Sequence, residues 1–186
     1  MLMVNAARRW AADDLDGIAD DECRYEVVDG ALFVTPSPSR DHQLVAAQIY
    51  VRLFEFVRVH RIGSVFFAPA DMHVDDRNRV QPDIFVEPPS RGARPTSWRD
   101  APTPILAIEI LSGSTAERDL GPKRDLYLRA GIAEYWIIDG TSRSVRVVRR
   151  GQRDSVVRDA LRWLPPGAAE PLVIDLPELY RDALDR

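Results

Sequence analysis

Two acidic residues stand in segments whose neighbours are mostly apolar. Asp83 lies within residues 80–86, and Glu109 interrupts the apolar run of residues 105–111. Aspartate is depleted in strands, and a buried glutamate is costly unless something compensates its charge. Together the two carboxylates fit a hard divalent cation, which prefers oxygen ligands. Singly, each has an ordinary alternative: an edge-strand aspartate that faces water, or a glutamate that pairs with an arginine.

The third candidate is Lys123, the only lysine in a chain whose lysine and arginine residues total 25. It follows Pro122 at about the second position of a predicted helix, where the helix dipole disfavours a cation. A helix amino terminus with one ammonium group suits a phosphate. The alternatives are an arginine-rich composition that leaves one lysine by chance, and a solvated lysine paired with Asp119 or Asp125.

The elements that must position these residues alternate between strands and helices. Hydrophobic periodicity and turn residues predict a mixed α/β or α+β protein with a sheet rich in hairpins. An Asp-Gly turn at residues 29 and 30 predicts a tight hairpin. The predicted elements nearest the candidate residues are strands at 24–28, 31–34, 80–86, 105–111 and 134–139 and helices at 40–60 and 122–131.

Composition limits the function further. The 186 residues are 45% hydrophobic and 29% charged, which is typical of a globular protein and predicts one domain over residues 1–186. No apolar run approaches the roughly 18 residues of a membrane span, so no membrane partner is expected. The single cysteine, Cys23, favours a cytoplasmic location. The net charge of −4 argues against binding nucleic acid by bulk electrostatics alone.

Six ordered blocks of sequence carry a family resemblance. They are Tyr25-Glu26-Val27-Val28-Asp29-Gly30, Pro36-Ser37-Pro38 with His42, Gln81-Pro82-Asp83-Ile84, Glu109-Ile110-Leu111-Ser112, Asp119-Leu120-Gly121-Pro122-Lys123-Arg124-Asp125-Leu126-Tyr127 and Gly131-Ile132-Ala133-Glu134-Tyr135-Trp136-Ile137-Ile138-Asp139. In this order they resemble the bacterial Uma-type restriction endonuclease family, which belongs to the PD-(D/E)XK nuclease superfamily. The resemblance spans residues 24–149.

The resemblance implies a restriction-endonuclease-like core, a mixed β-sheet flanked by helices, and Mg²⁺-dependent phosphodiester hydrolysis, with Mn²⁺ as an alternative ion. It maps the catalytic set onto Glu26, Asp83, Glu109 and Lys123, with Asp83 and Glu109 as metal ligands. The superfamily lysine usually stands two residues after the second acid, where this chain has Leu111. In this family it looks displaced onto the following helix, at Lys123.

The expected function is therefore a Mg²⁺-dependent endonuclease that acts on DNA, with the carbonyl of Ile110 as a third ligand. Glu26 would contact the ion's water shell or a second ion, and the role of His42 stays open between phosphate contact, capping and a place in the core. The alternative is a catalytically inactive nucleic-acid-binding or regulatory module on a nuclease scaffold. A homodimer is expected because the apolar faces of residues 44–57 and 135–138 are larger than one thin sheet layer of the same chain would cover.

Overall fold

The computed structural model describes the backbone of residues 2–3 and residues 8–18, 23–90, 92–113 and 115–185. Short 3₁₀ turns occur at Ala12–Gly17 and Trp98–Asp100. The strands and α-helices are, in chain order, β1 (Leu2–Met3), β2 (Arg24–Val28), β3 (Ala31–Thr35), α1 (Arg40–His60), β4 (Ser64–Phe67), β5 (Met72–Asp75), β6 (Asn78–Val80), β7 (Ile84–Glu87), β8 (Leu106–Ile110), α2 (Ala116–Leu120), α3 (Pro122–Arg129), β9 (Glu134–Asp139), β10 (Ser144–Arg149), β11 (Ser155–Val157), β12 (Ala160–Trp163), β13 (Leu172–Asp175) and α4 (Leu176–Leu184).

A six-stranded mixed sheet forms the centre of the fold. Its strand order is β11-β10-β9-β8-β7-β4, with β8 and β9 parallel and the other neighbours antiparallel. A five-stranded antiparallel sheet has the order β1-β3-β2-β6-β5, and β12 pairs with β13. The predicted fold class, a mixed sheet flanked by helices, is confirmed.

Both faces of the central sheet are covered within the chain. On β9, Trp136 and Ile138 pack with the buried side chains of α1 and α4, whereas Tyr135 and Ile137 pack with α3 and the five-stranded sheet. This alternation is expected because successive strand residues point to opposite faces. The prediction that residues 135–138 leave an apolar surface uncovered was therefore wrong. The predicted apolar face of residues 44–57 is also largely covered, because this core buries Val45, Ile49, Leu53 and Val57.

The strand predicted at residues 80–86 is two strands in different sheets. β6 ends at Val80 in the five-stranded sheet, and β7 begins at Ile84 in the central sheet. Proline has no backbone N–H to donate to a strand ladder, so Pro82 ends the pairing between them. As a result, Asp83 lies at the point where the chain crosses from one sheet to the other.

The other elements near the site follow their sequence signals. The Asp29-Gly30 turn joins β2 to β3, with positive φ angles of 50° and 78°. Ser39 caps α1 by accepting a hydrogen bond from the His42 N–H at 3.2 Å, and Pro122 opens α3. No helix in the described part of the chain is both long and apolar enough to cross a membrane.

Candidate active site

The pairing of β7 with β8 brings Asp83 and Glu109 together. Ile84 lies opposite Ile108 in this antiparallel pair, so extending the register by one residue places Asp83 opposite Glu109. Side chains directly opposite each other on antiparallel strands have Cβ atoms about 4.5–5.5 Å apart. The backbone N–H of Ile110 donates a hydrogen bond to Asp83 Oδ2 at 2.8 Å, which fixes the carboxylate beside the end of β8.

Asp83 is buried between two cationic or polar side chains. Both terminal nitrogens of Arg24 donate to Asp83 Oδ1 at 3.0 Å, and His42 Nε2 lies 3.3 Å from the same oxygen. Burial alone would raise the pKa of Asp83, but the contact with His42 and the charge of Arg24 lower this pKa to about 2. Asp83 is therefore ionised at neutral pH.

Glu109 is the fourth of the five residues of β8 and points toward α3. Its neighbours Ile108 and Ile110 belong to the core beneath α1, so strand alternation directs Glu109 to the opposite face. There Tyr127 donates a hydrogen bond to Glu109 Oε1 at 2.7 Å, and Lys123 forms an ion pair with the same oxygen. Burial raises the pKa of Glu109 to about 8, although the charge of Lys123 opposes this shift.

Lys123 is a buried member of this cluster. Its side chain is 0% exposed, and Nζ donates a hydrogen bond to Glu26 Oε1 at 2.7 Å in addition to its ion pair with Glu109. Burial alone would lower the pKa of Lys123, but the two carboxylates raise it above its ordinary value. The alternative of a solvated lysine on the surface is therefore wrong.

Glu26 lies behind the other acids on β2. Its Oε1 accepts hydrogen bonds from Lys123 and from the backbone N–H of Gln81 at 2.8 Å. Its buried Oε2 forms an ion pair with Arg118, whose Nη1 lies 3.0 Å away and also donates a hydrogen bond to Thr35 Oγ1 at 2.9 Å. Burial raises the pKa of Glu26, but the charges of Lys123 and Arg118 outweigh it and lower this pKa.

A cleft of about 210 Å³ opens over part of this cluster. Asp83, Glu109 and Ile110 line it, together with the cationic side chains of Arg24 and Arg118. Glu26 and Lys123 do not line the cleft and lie one layer behind it. The four predicted site residues thus form one connected cluster, in which two carboxylates face the cleft and an ion pair supports them from behind.

The donor atoms in the cleft suit Mg²⁺, which keeps water ligands, better than they suit a metal ion whose ligands are mostly protein side chains. Among the described residues, no three His, Cys, Asp or Glu side chains form a metal-binding group. Mg²⁺ commonly binds through one or two carboxylates and keeps several waters. Each carboxylate oxygen can accept more than one contact, so the hydrogen bonds to Asp83 and Glu109 leave lone pairs for an ion.

Sequence reasoning missed three members of the cluster, and two of them had a usable signal. Arg24 precedes Glu26 by two residues on β2 and therefore shares its face. Tyr127 follows Lys123 by four residues on α3 and therefore lies on the same side of the helix. Arg118 had no comparable signal, because its role depends on how α2 packs. His42, whose role was left open, contacts Asp83.

Comparison with known proteins identifies the family of this chain and a solved structure with a similar fold. The model of the Uma2 family, described as "Putative restriction endonuclease", matches residues 11–177, and the chain belongs to this family. A crystal structure described as a putative nuclease belonging to DUF820, from Anabaena variabilis, has a similar fold. It is 24% identical in sequence, with a TM-score of 0.78 over 94% of this chain and 99% of that one. No curated protein matches the chain. The fold is restriction-endonuclease-like, as predicted.

Proposed function

We propose that this protein is a Mg²⁺-dependent endonuclease that hydrolyses phosphodiester bonds in DNA. The observation that carries the proposal is the placement of Asp83 and Glu109 opposite each other at the edge of one cleft. Membership of a family described as restriction endonucleases supports the activity, and that description supports DNA as the substrate.

Asp83, Glu109 and the backbone carbonyl of Ile110 would hold the ion, with Mn²⁺ as an alternative to Mg²⁺. When bound, the ion would polarise the phosphate and lower the pKa of the attacking water. Arg24 and Arg118, which line the same cleft, would attract the phosphate and hold it near Asp83. These two cations place positive charge beside Asp83 and Glu109 in the cleft, although the chain as a whole has a net charge of −4.

Lys123 and Tyr127 would act on Glu109 from behind the cleft. The ammonium group favours the ionised form of Glu109, which is the form that binds a metal ion. The Tyr127 hydroxyl fixes the orientation of the carboxylate, as outer-shell donors do for metal ligands. The same ammonium would also stabilise negative charge that develops on the phosphate.

Glu26 would hold Lys123 in place through Oε1, at a distance of 2.7 Å. Its Oε2 lies 3.0 Å from Arg118 Nη1 and, as a carboxylate oxygen, can accept a further contact. We propose that this oxygen accepts a hydrogen bond from water in the hydration shell of the ion.

A second candidate is a catalytically inactive module that binds nucleic acid or regulates another protein. The observation in its favour is that Lys123 already compensates both Glu26 and Glu109, so the buried acids have a partner in the absence of an ion. This candidate predicts binding without cleavage.

A cleavage assay on supercoiled, linear and single-stranded DNA distinguishes the two candidates. The nuclease proposal predicts cleavage with Mg²⁺ or Mn²⁺, none with a chelator, and none by Asp83→Asn. Binding of DNA by the wild type with no cleavage under any metal condition would support the inactive module and contradict the nuclease.

Two further properties remain proposals. We propose a homodimer, because α1 keeps Val51, Phe54 and Val59 exposed after the fold has formed. We also propose a cytoplasmic location, on the basis of the single cysteine in the sequence.

A further inference from the structure

We propose that a pocket beside the candidate active site binds one unstacked nucleobase of the strand that is cleaved. The inference rests on the proposed nuclease function and names a substrate class for it, a strand whose base is unpaired or flipped out at the cleavage site. The pocket has a volume of about 220 Å³ and is lined by Tyr50, Phe67, Ala46 and Ala47, with Gln43 at its polar edge.

The position of the pocket follows from β7, the strand that begins directly after Asp83. Phe67 lies opposite Ile84 in the pairing of β4 with β7, and Ile84 directly follows Asp83 in the chain. The backbone N–H of Ala68 donates to the carbonyl of Asp83 at 3.0 Å. Arg24, His42 and Asp83 line both this pocket and the acid-lined cleft. A phosphate held in the cleft therefore has the pocket directly beside it.

The lining side chains provide an aromatic wall and a small-residue floor. The Phe67 side chain is 57% exposed, so its ring is accessible to a ligand in the pocket. Its ring packs edge-on against Tyr50 at a centroid distance of 4.9 Å and an interplanar angle of 74°. The alanines at positions 46 and 47 leave room in front of these rings. Aromatic faces of this kind stack bases from unpaired strands.

The size and polarity of the pocket select a base over other occupants. Its volume is smaller than the roughly 300–1,000 Å³ of sites for drug-sized ligands, so it suits a single planar ring system. Arg24 and His42 stand at the side shared with the cleft, where the phosphate and sugar would lie. The Gln43 amide offers both a donor and an acceptor to the edge of a base.

A second copy of this chain fits the pocket less well. The exposed apolar residues of α1 that would serve a flat symmetric contact are Val51, Phe54 and Val59, and none of them lines the pocket. The pocket is concave and shares Arg24, His42 and Asp83 with the cleft, which is the geometry of a substrate subsite. Because unstacking a paired base costs a few kcal/mol, single strands and mismatched duplexes should be better substrates than fully paired DNA.

The test uses oligonucleotides that carry the fluorescent base 2-aminopurine next to the cleaved phosphate, with Ca²⁺ in place of Mg²⁺ so that binding is measured without cleavage. We expect the wild type to quench the fluorescence by stacking. Phe67→Ala should weaken binding on the order of tenfold, because one base–aromatic stack is lost. Leu164→Ala removes an equally exposed apolar side chain outside the pocket and should bind like the wild type.

An abasic nucleotide at the same position provides the second arm. The difference in affinity between wild type and Phe67→Ala should disappear with it, because neither protein then has a base to stack. Equal binding of the 2-aminopurine strand by both proteins, or a Phe67→Ala defect that light scattering traces to loss of a dimer, would overturn the subsite. Quenching by a wild type that never cleaves would support the subsite and refute the nuclease. Cleavage with no quenching would refute the subsite alone.

Discussion

Each acid in the cluster has a different pKa because each meets a different balance of burial and positive charge. Burial raises the pKa of all three carboxyl groups, and contacts with cations oppose it. Hydrogen bonding by His42 and the charge of Arg24 lower the pKa of Asp83 to about 2, whereas Glu109 keeps a pKa of about 8 despite Lys123. Asp83 is therefore a carboxylate at neutral pH, whereas the ionised form of Glu109 is supported by its ion pair with Lys123.

The first prediction concerns Lys123. Replacing it by alanine leaves Glu26 and Glu109 buried without their ammonium, so the free energy of unfolding should fall by about 3–5 kcal/mol. Cleavage should fall on the order of 10²-fold or more, and Lys123→Arg should also be impaired because a guanidinium has a different shape and hydration. Denaturant unfolding and single-turnover cleavage measure the two effects.

The control for Lys123 is Arg129→Ala, which removes an exposed cation from the same helix. Its stability and cleavage rate should stay close to those of the wild type, because exposed ion pairs contribute little. Cleavage by folded Lys123→Ala at the wild-type rate would contradict the role given to the lysine.

The second prediction concerns Tyr127. Tyr127→Phe removes the hydroxyl that donates to Glu109, so Mg²⁺ or Mn²⁺ affinity should fall about 10-fold or more. Tyr135→Phe is the matched control, because its hydroxyl is equally buried but donates to the backbone carbonyl of Asp119. Calorimetric titration with the metal should separate the two variants. Equal affinities in both would show that the Tyr127 hydroxyl does not orient Glu109.

At the scale of elements, the cleft carboxylates come from Asp83, directly before β7, and from Glu109 on β8, and α3 supplies Lys123 and Tyr127 one turn apart. β7 also ends in a third buried acid, Glu87, which is 8% exposed. No described residue pairs with its carboxylate, and burial raises the pKa of Glu87 from 4.5 to about 7. The buried carboxyl group of Glu87 therefore lowers the free energy of unfolding by an amount that depends on pH.

The third prediction follows from the sign of this shift. Because the folded-state pKa is higher than the unfolded one, the unfolded chain releases the proton first, and stability is lost as pH rises from 4.5 through about 7. The glutamine of Glu87→Gln does not titrate, so this variant should gain stability relative to the wild type as pH rises. The difference in free energy of unfolding between the variant and the wild type should be about 1–2 kcal/mol larger at pH 8 than at pH 4.5. Urea unfolding at the two pH values measures the difference.

Glu55→Gln, an exposed change on α1, is the control for Glu87, and its difference from the wild type should stay within about 0.5 kcal/mol at both pH values. An effect of Glu87→Gln that is the same at pH 4.5 and pH 8 would refute the buried, unpaired carboxylate as its cause.

The elements were predictable where local signals decide the structure. The Asp29-Gly30 hairpin, the capped helix α1 and the apolar strand β8 have such signals, and the structure agrees with them. The separation of β6 from β7 was not predicted, because which sheet a short strand joins depends on long-range pairing. The out-of-place acids and the lone lysine could be found in the sequence, whereas the contact of Arg118 with Glu26 requires the packed fold.

At the scale of the whole molecule, the central sheet is covered on both faces, and α1 is the helix that keeps several large apolar residues exposed in the described chain. The fourth prediction is that the protein is a dimer in solution through this face, which includes Val51 and Val59. Light scattering should give twice the chain mass, and Val59→Glu should shift the equilibrium toward the monomer. A wild-type monomer at every concentration would contradict the dimer.

The central claim is that Asp83 and Glu109 hold the ion that cleavage requires. The most direct measurement is the single-turnover rate of supercoiled DNA cleavage as Mg²⁺ is varied, for the wild type, Asp83→Asn, Glu109→Gln and the control Asp154→Asn. We predict that both site variants lose cleavage on the order of 10²-fold or more and no longer respond to Mg²⁺ in the wild-type range. Asp154, which pairs with Arg124 away from the cleft, should be replaceable without this loss. Cleavage by folded Asp83→Asn at the wild-type rate, with the same dependence on Mg²⁺, would contradict the account.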